Sequence, residues 1–215
     1  MRRAFDMQIR DTKQEIVDPA ISALVVVDVQ NDFTHPDGVL ARGGTNLETL
    51  RELPTTTQEV VALARDAGVM IVWIKNTTLP HGLGESPAWH AFKTREGNHS
   101  QYTLTGTWGH ALAAPLEPRD DEPIVEKSRS SAFIRTPLEG VLRSNRIESV
   151  VAVGCMTEGC VESTVRNALH LDFYAGIVTD AVATTRQDWQ RNSLHQMHSQ
   201  CELLARAELE DLWGR

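Results

Sequence analysis

The sequence predicts an α/β fold, a three-layer α/β/α sandwich around a central, mainly parallel sheet of six strands. Short runs of β-branched and apolar residues recur along the chain, as in strands that are buried on both faces. Segments with helical periodicity lie between these runs, and this alternation favours parallel strands joined by right-handed crossovers. The length of 215 residues is sufficient for one domain with a sizeable core.

The elements follow from local patterns, taken in chain order. Residues 1–20 are polar and mixed, and we expect an N-terminal arm on the surface or on a partner subunit, followed by a single domain at 21–215. Apolar runs predict strands at 23–29, 69–74, 123–126, 150–153, 174–179 and 201–204. Helical spacing predicts helices at about 46–66, at 136–145, from 160 onward and at 188–199. Pro54 lies inside the first of these helices and is expected to start a new helix or to kink this one.

The segment 76–122 differs from the rest of the chain because it has no sustained periodicity and contains several prolines. A compact domain rarely holds so long an irregular segment unless that segment is functional. We therefore expect loops and short helices there that form the wall of a pocket.

The composition argues against several classes of function. The formal net charge is -8, whereas a general nucleic-acid binder usually has a basic face. No apolar run approaches the roughly 18 residues that span a membrane, and no apolar stretch of a secretory signal follows the first arginines. Three cysteines are too few, and odd in number, for a disulfide framework. We expect a cytoplasmic protein that binds neither nucleic acid nor membranes.

The stretch 149–164 predicts a buried strand, a tight turn and the start of a helix, with Cys160 at the junction of turn and helix. Unpaired backbone N–H groups and the helix dipole favour a thiolate at such a position. They are expected to lower the pKa of the thiol from ~8.5 into the range of roughly 3.5–7.5. The alternative is that Cys160 only fills a gap between helix and sheet, since free cysteines are often buried.

Three chemically useful residues lie at or just past predicted strand ends: Asp28, Lys127 and Cys160. Ligands of parallel α/β sheets bind at this edge. Asp28 is suited to take the proton of Cys160 and pass it to a leaving amine, while Lys127 holds the carboxylate and favours the thiolate. Taken singly, Asp28 also fits a loop cap and Lys127 a solvated charge. Asp180 is placed at a strand end too, and capping of the next loop explains it equally well.

The chain resembles the isochorismatase-like cysteine hydrolases over about residues 23–204. The resemblance rests on the segments Leu24–Phe33, Ile124–Lys127, Ser131–Phe133, Gly154–Val161 and Asp180–Ala181. It implies the fold of that family, with Asp28, Lys127 and Cys160 as the catalytic triad. It also implies a cis peptide bond before Met156, which aims the Met156 N–H at the oxyanion beside the N–H of Cys160.

The resemblance also bears on metals and cofactors. Nicotinamidases of the family carry an Asp-x-His metal motif after the second strand, where this chain has Lys-Asn-Thr-Thr-Leu at 75–79. The spacing of His81, His90, His99 and His110 is too irregular for a metal site. We therefore expect neither a metal nor a cofactor.

Segments 86–90, 106–108 and 127–133 look most like ureidoacrylate-type amidohydrolases. Their aromatic and basic side chains supply candidate substrate contacts, and most of these have a structural alternative. Arg129 suits a substrate carboxylate or is an ordinary loop cation. Asn31 either contacts substrate or anchors the loop of Asp28. Three further candidates line the pocket or pack the irregular segment onto the core: Trp89, Trp108 and Phe133. Phe33 is also predicted to contact the substrate.

The leading hypothesis is a metal-independent cysteine hydrolase that cleaves the C–N bond of a small amide, ureido or carbamoyl substrate. The reaction passes through a thioester and releases ammonia or an amine. The first alternative is an isochorismatase-type vinyl-ether hydrolase, which depends on protonation by the aspartate. The second is a non-catalytic member of the fold. The partners expected are a small-molecule substrate and further copies of the chain, in a dimer or tetramer.

Overall fold

A parallel sheet forms the centre of the computed structural model, which describes residues 2–5, 7–95 and 101–214. Strands β1 (Arg2–Ala4) and β2 (Met7–Ile9) form a separate antiparallel pair. The other strands are β3 (Ser22–Val27), β4 (Met70–Asn76), β5 (Ile124–Lys127), β6 (Ser149–Cys155), β7 (Tyr174–Ala183) and β8 (Glu202–Leu204). These six pair in the order β5-β4-β3-β6-β7-β8, with every pairing parallel, which confirms the predicted fold class.

Helices lie before, between and after the strands of the sheet. They are α1 (Lys13–Ile16), α2 (Asn31–Thr34), α3 (Val39–Arg42), α4 (Leu53–Asp66), α5 (Pro87–Lys93), α6 (Leu138–Ser144), α7 (Glu162–His170), α8 (Gln187–Met197) and α9 (Arg206–Trp213). Single 3-10 turns occur at Pro19–Ile21, Pro80–Gly82 and Trp108–His110. Among the described residues, no helix has the length and apolar content that a membrane crossing requires.

The sheet separates two apolar layers, because side chains alternate between its faces along each strand. In β3, Leu24 and Val26 join a layer with α4 and α9. Val25 and Val27 join a second layer with α6, α7 and α8. All residues of β3 are buried, as expected for a central strand covered on both faces.

Two element boundaries differ markedly from the expectation. Helix α4 begins at Leu53, with Pro54 in its first turn, and residues 46–52 lie outside it, because proline suits the start of a helix. Strand β7 continues to Ala183, so Asp180 is not at a strand end. The Asp180 carboxylate instead accepts a hydrogen bond of 2.8 Å from the backbone N–H of Arg206, the first residue of α9.

The segment 1–20 has two parts. Residues 2–4 and 7–9 pair as the hairpin of β1 and β2. After α1, Val17 is fully buried, and its carbonyl accepts a hydrogen bond of 2.8 Å from the indole N–H of Trp213. Lys13 pairs with Glu208 of α9 at 2.7 Å. The domain division and self-association of the chain stay predictions.

Residues 77–122 are called the lid segment below, and in their described part they consist of loops, α5 and two 3-10 turns. Two isolated bridges involve this segment: one lies within it, just after β4, and the other joins it to the residues that follow β3. Thr78 pairs with Leu104, and Leu112 pairs with Gln30 just after β3. The edge that the sequence predicts as functional is therefore the edge that the lid segment contacts.

Candidate active site

Asp28 follows the last residue of β3 and turns the chain away from the sheet. It has a φ of +56°, and its N–H donates to the carbonyl of Ile74 in β4 at 3.0 Å. Lys127 is the last residue of β5 and lies in register with Asn76 of β4. Because β4 separates β5 from β3, the long Lys127 side chain crosses the end of β4 to reach Asp28.

Cys160 lies in a π-helical turn, Thr157–Val161, between β6 and α7. The peptide bond between Cys155 and Met156 is cis. At the end of β6, Gly154 has a φ of +118°, and a Cβ there would lie 2.0 Å from the carbonyl oxygen of Val27. Only glycine fits this close approach of β6 to the end of β3, which brings the turn of Cys160 toward Asp28.

The three residues predicted as a triad meet at the carboxyl edge of the sheet. The ammonium Nζ of Lys127 lies 2.7 Å from Oδ2 of Asp28. It also donates to Sγ of Cys160 at 3.2 Å and to the carbonyl of Arg129 at 3.1 Å. The side chains of Asp28 and Lys127 are buried, so the ion pair is shielded from water. Lys127 therefore lies between the carboxylate and the thiol.

The expected low pKa of Cys160 is wrong. Burial raises the pKa of the thiol to about 12, and the positive charge of Lys127 offsets only part of this effect. Burial also raises the pKa of Asp28 against the opposing effect of Lys127. Burial disfavours the Lys127 ammonium, yet Asp28 and Cys160 hold the pKa of Lys127 above its ordinary value. The resting site is thus a protonated thiol beside an ion pair.

Cys160 differs from the other two cysteines in the groups that surround its thiol. Burial raises the pKa of Cys201 to about 12 as well, so acidity alone does not single out a nucleophile. Cys155 is buried, and its Sγ donates to the carbonyl of Asp28 at 3.3 Å. Of the three thiols, Cys160 is the one that a lysine ammonium contacts.

Gln30 is a structural residue of the site that the sequence analysis did not single out. Its amide Nε2 donates to the carbonyls of Asn76 and His110 at 3.0 and 2.9 Å, and its Oε1 accepts from the N–H of Asn76 at 2.8 Å. Gln30 thereby joins the loop of Asp28 to β4 and to the lid segment. Its position two residues after Asp28, within the segment Leu24–Phe33 that carries the family resemblance, was the available signal.

Asp32 forms a second connection to the lid segment. Its carboxylate accepts hydrogen bonds from the backbone N–H groups of Val39 at 3.1 Å and Thr103 at 2.6 Å. Gly109 packs directly on this carboxylate, because a Cβ at that position would lie 2.2 Å from Oδ1 of Asp32. Asp32 therefore fixes two stretches of the lid segment next to the loop that carries Asp28.

Arg129 spans from β5 to the lid segment. Its Nη1 donates to the carbonyl of Ser128 at 2.7 Å, and its Nη2 donates to the carbonyl of Gly84 at 3.2 Å. The guanidinium lies 4.9 Å from the ring centroid of Trp89. Arg129 forms no ion pair with any described residue, so its positive charge is not neutralised within this part of the chain.

The other residues that were predicted to contact the substrate do not all lie around the same part of the site. Asn31 anchors the loop, since its Nδ2 donates to the carbonyl of Trp108 at 2.8 Å, and both residues line a cavity of about 460 Å³. Phe33 packs on Tyr102 with ring centroids 5.3 Å apart. Phe133 packs on Phe173 at 6.0 Å, next to the apolar layer of α6 and α7. Substrate contact by these residues stays a prediction.

The histidines of the lid segment are not arranged as metal ligands in the part of it that the structure describes. His110 is buried, its Nδ1 lies 3.3 Å from Nζ of Lys75, and its Nε2 lies 2.8 Å from the hydroxyl of Thr77. Burial, and then the charge of Lys75, lower the pKa of His110. The described residues include no group of three or more potential ligands placed for a metal, and His99 lies outside them.

Comparisons with known proteins give matches to one family of hydrolases. The sequence model of the isochorismatase domain matches residues 22–208. The ureidoacrylate amidohydrolase RutB of Methylobacterium radiotolerans is 35% identical over 175 residues, which cover 77% of this chain and 68% of that protein. The expected enzyme class, a hydrolase of C–N bonds other than peptide bonds, is the class to which this relative belongs.

Solved structures show the same fold. A cysteine hydrolase of Pseudomonas syringae pv. phaseolicola superposes with a TM-score of 0.79 at 22% identity, covering 93% of this chain and 95% of that one. An N-carbamoylsarcosine amidase of Thermoplasma acidophilum superposes with a TM-score of 0.68 at 24% identity, covering 86% and 95%. At these identities the likeness establishes the architecture alone.

Proposed function

Because this chain belongs to the isochorismatase family of hydrolases, we propose that it hydrolyses the C–N bond of a small ureido, carbamoyl or amide compound. The reaction passes through a thioester on Cys160 and releases ammonia or an amine. The observation that carries the proposal is the position of Lys127, whose ammonium contacts both Asp28 and Cys160. No metal takes part, since Lys-Asn-Thr-Thr-Leu at 75–79 supplies no Asp-x-His ligands.

The geometry supports acylation in two proton transfers. Asp28 accepts the proton of the Cys160 thiol, and the Lys127 ammonium, which contacts both groups, stabilises the thiolate that forms. The thiolate attacks the substrate carbonyl carbon, and the N–H groups of Met156 and Cys160 stabilise the oxyanion that forms. Asp28 then gives its proton to the leaving nitrogen as the C–N bond breaks.

Deacylation uses the same aspartate. Water attacks the carbonyl carbon of the thioester, and Asp28 takes the proton of that water. The C–S bond breaks, and the proton returns to the sulfur, which restores the thiol. The high pKa of free Cys160 fits this cycle, because a thiol that ionises only with substrate bound is protected from side reactions.

Charge around the site favours an acidic substrate. Asp28 pairs with Lys127, and Glu85 pairs with Lys93 in the lid segment at 2.8 Å. Arg129 adds a positive charge that no described residue neutralises, and its planar guanidinium suits a carboxylate. We therefore place ureido and carbamoyl acids first among the substrates, in agreement with the ureidoacrylate amidohydrolase among the relatives.

Ammonia release from a panel of ureido acids, carbamoyl acids, simple amides and nicotinamide tests the proposal. Wild type, Cys160→Ala and the matched control Cys201→Ala are compared. We expect release with wild type and Cys201→Ala, fastest for ureido or carbamoyl acids, and a loss of at least about 1,000-fold with Cys160→Ala. Release that survives Cys160→Ala, or that is absent from the whole panel, would overturn the proposal.

A further inference from the structure

Tyr102 of the lid segment lies beside the catalytic edge, although the sequence analysis assigned it no role. Its ring packs on Phe33, five residues after Asp28, with ring centroids 5.3 Å apart. The ammonium of Lys93 lies 4.7 Å from the centroid of the same ring. The Tyr102 side chain is therefore held between the loop of Asp28 and helix α5.

Lys93 itself is fixed in place. Its side chain is only 3% exposed, and its Nζ lies 2.8 Å from Oε1 of Glu85. It also donates to the hydroxyl of Thr78 at 3.3 Å, just after β4. A buried lysine with these partners cannot turn toward a substrate, so it supports the Tyr102 ring from within the protein.

The backbone next to Tyr102 is fixed as well. The N–H of Thr103 donates to Asp32 at 2.6 Å, and the hydroxyl of Thr103 accepts from Nδ2 of Asn76 at 2.7 Å. Asn76 lies in register with Lys127, so this contact joins the Tyr102 loop to the strand end beside the catalytic lysine. Thr103 has a φ of +51°, a conformation that these two hydrogen bonds hold.

The hydroxyl of Tyr102 forms no hydrogen bond with any described residue. Burial raises the pKa of Tyr102, and the negative charge of Asp28 adds to this effect. The phenol is therefore protonated at every working pH and is a hydrogen-bond donor in need of an acceptor.

We propose that Tyr102 determines specificity by donating a hydrogen bond to the carboxylate of the substrate, together with Arg129. This inference rests on the proposed function, because it concerns the acid end of a ureido or carbamoyl acid. A carboxylate accepts several hydrogen bonds, and among the described residues Tyr102 and Arg129 offer a hydroxyl and a cation that no carboxylate of this chain engages.

Protection of Cys160 from iodoacetamide tests the inference without any need for turnover. The ligands are 5-oxohexanoate, which has the length and carboxylate of a ureido acid but no C–N bond, and its methyl ester. Wild type, Tyr102→Phe and the control Tyr174→Phe are compared, at pH 9. Tyr102→Phe keeps the packing on Phe33 and Lys93, while Tyr174→Phe removes a hydroxyl that only accepts from the N–H of Arg10.

We expect the apparent Kd of the keto acid to rise about 10- to 100-fold in Tyr102→Phe and to stay unchanged in Tyr174→Phe. The apparent Kd of the ester should be the same in all three proteins. An unchanged Kd of the acid in Tyr102→Phe, or equal weakening of acid and ester, would overturn the role of Tyr102. If Tyr102→Phe weakens the protection of Cys160 by the keto acid but the wild type hydrolyses no ureido acid, the role of Tyr102 in binding is upheld and the proposed function is rejected.

Discussion

At the scale of single residues, the site depends on one buried cation. The Lys127 side chain is fully buried, and its ammonium contacts the carboxylate of Asp28 and the thiol of Cys160. Charges are stable in such a place only when they are paired, and Asp28 provides the pair. The thiol has no second cation, so burial dominates and raises the pKa of Cys160 to about 12. Substrate binding, and not the free enzyme, must create the thiolate.

This pKa predicts the reactivity of free Cys160. Iodoacetamide reacts with the thiolate, whose fraction grows tenfold for each pH unit below the pKa. Because the pKa is about 12, the alkylation rate should rise about tenfold per unit from pH 7 to 10 without a plateau. Peptide mapping in a Cys201→Ala background measures the rate at Cys160 alone. A plateau at or below pH 8 would show that the backbone N–H groups of the turn outweigh burial.

At the scale of elements, side-chain contacts fix the lid segment at its middle and at its C-terminal end. Gln30 and Asp32 hold its middle, and Glu122 holds its end just before β5. The Glu122 carboxylate accepts from Nε of Arg65 in α4 at 2.8 Å and from the indole N–H of Trp73 in β4 at 2.8 Å. Helix, sheet and lid segment therefore meet at one carboxylate.

Glu122→Gln should destabilise the protein by about 2–3 kcal/mol at pH 7, which is less than the full shift in the pKa of Glu122 implies because water partly screens the site. Burial alone would raise the pKa of Glu122, but the hydrogen bonds from Arg65, Arg119 and Trp73 lower it from 4.5 to about 2. Because the folded pKa is depressed, this stabilisation is complete above about pH 4.5 and is lost as pH falls toward 2.

Urea unfolding at pH 7 and at pH 3 measures the effect. The free-energy difference between wild type and Glu122→Gln should be largest at pH 7 and should shrink at pH 3. Glu117→Gln is the control, because Glu117 is exposed and its side chain forms no ion pair with the described residues. Equal losses of stability in the two variants would contradict this role of Glu122.

The elements also show where sequence patterns fail. Apolar runs in the sequence predict all six strands of the sheet. They do not predict the end of β7, because Thr179 and Asp180 interrupt its apolar run. The strand continues since Val182 and Ala183 pair with Gly154 and Cys155 after a register shift in β6. This pairing joins residues that are distant in the sequence, so the sequence around Val182 and Ala183 does not predict it.

At the scale of the whole molecule, the site joins residues from three distant parts of the chain. The strand-end rule for parallel sheets predicts that Asp28, Lys127 and Cys160 share one edge, and their contacts agree with it. The thiol pKa could not be predicted, because burial depends on packing around the whole edge. The contacts of Tyr102 could not be predicted either, because the lid segment has no periodicity that indicates which of its residues face the sheet.

Mass spectrometry of the enzyme quenched in acid during turnover of a ureido acid tests the central claim most directly. If Cys160 is the nucleophile, a thioester adduct with the mass of the substrate's acyl group should appear on the peptide that contains Cys160. The adduct should be absent from Cys160→Ala and unchanged in Cys201→Ala. Steady hydrolysis with no adduct on Cys160, or an adduct on Cys201 instead, would contradict the account.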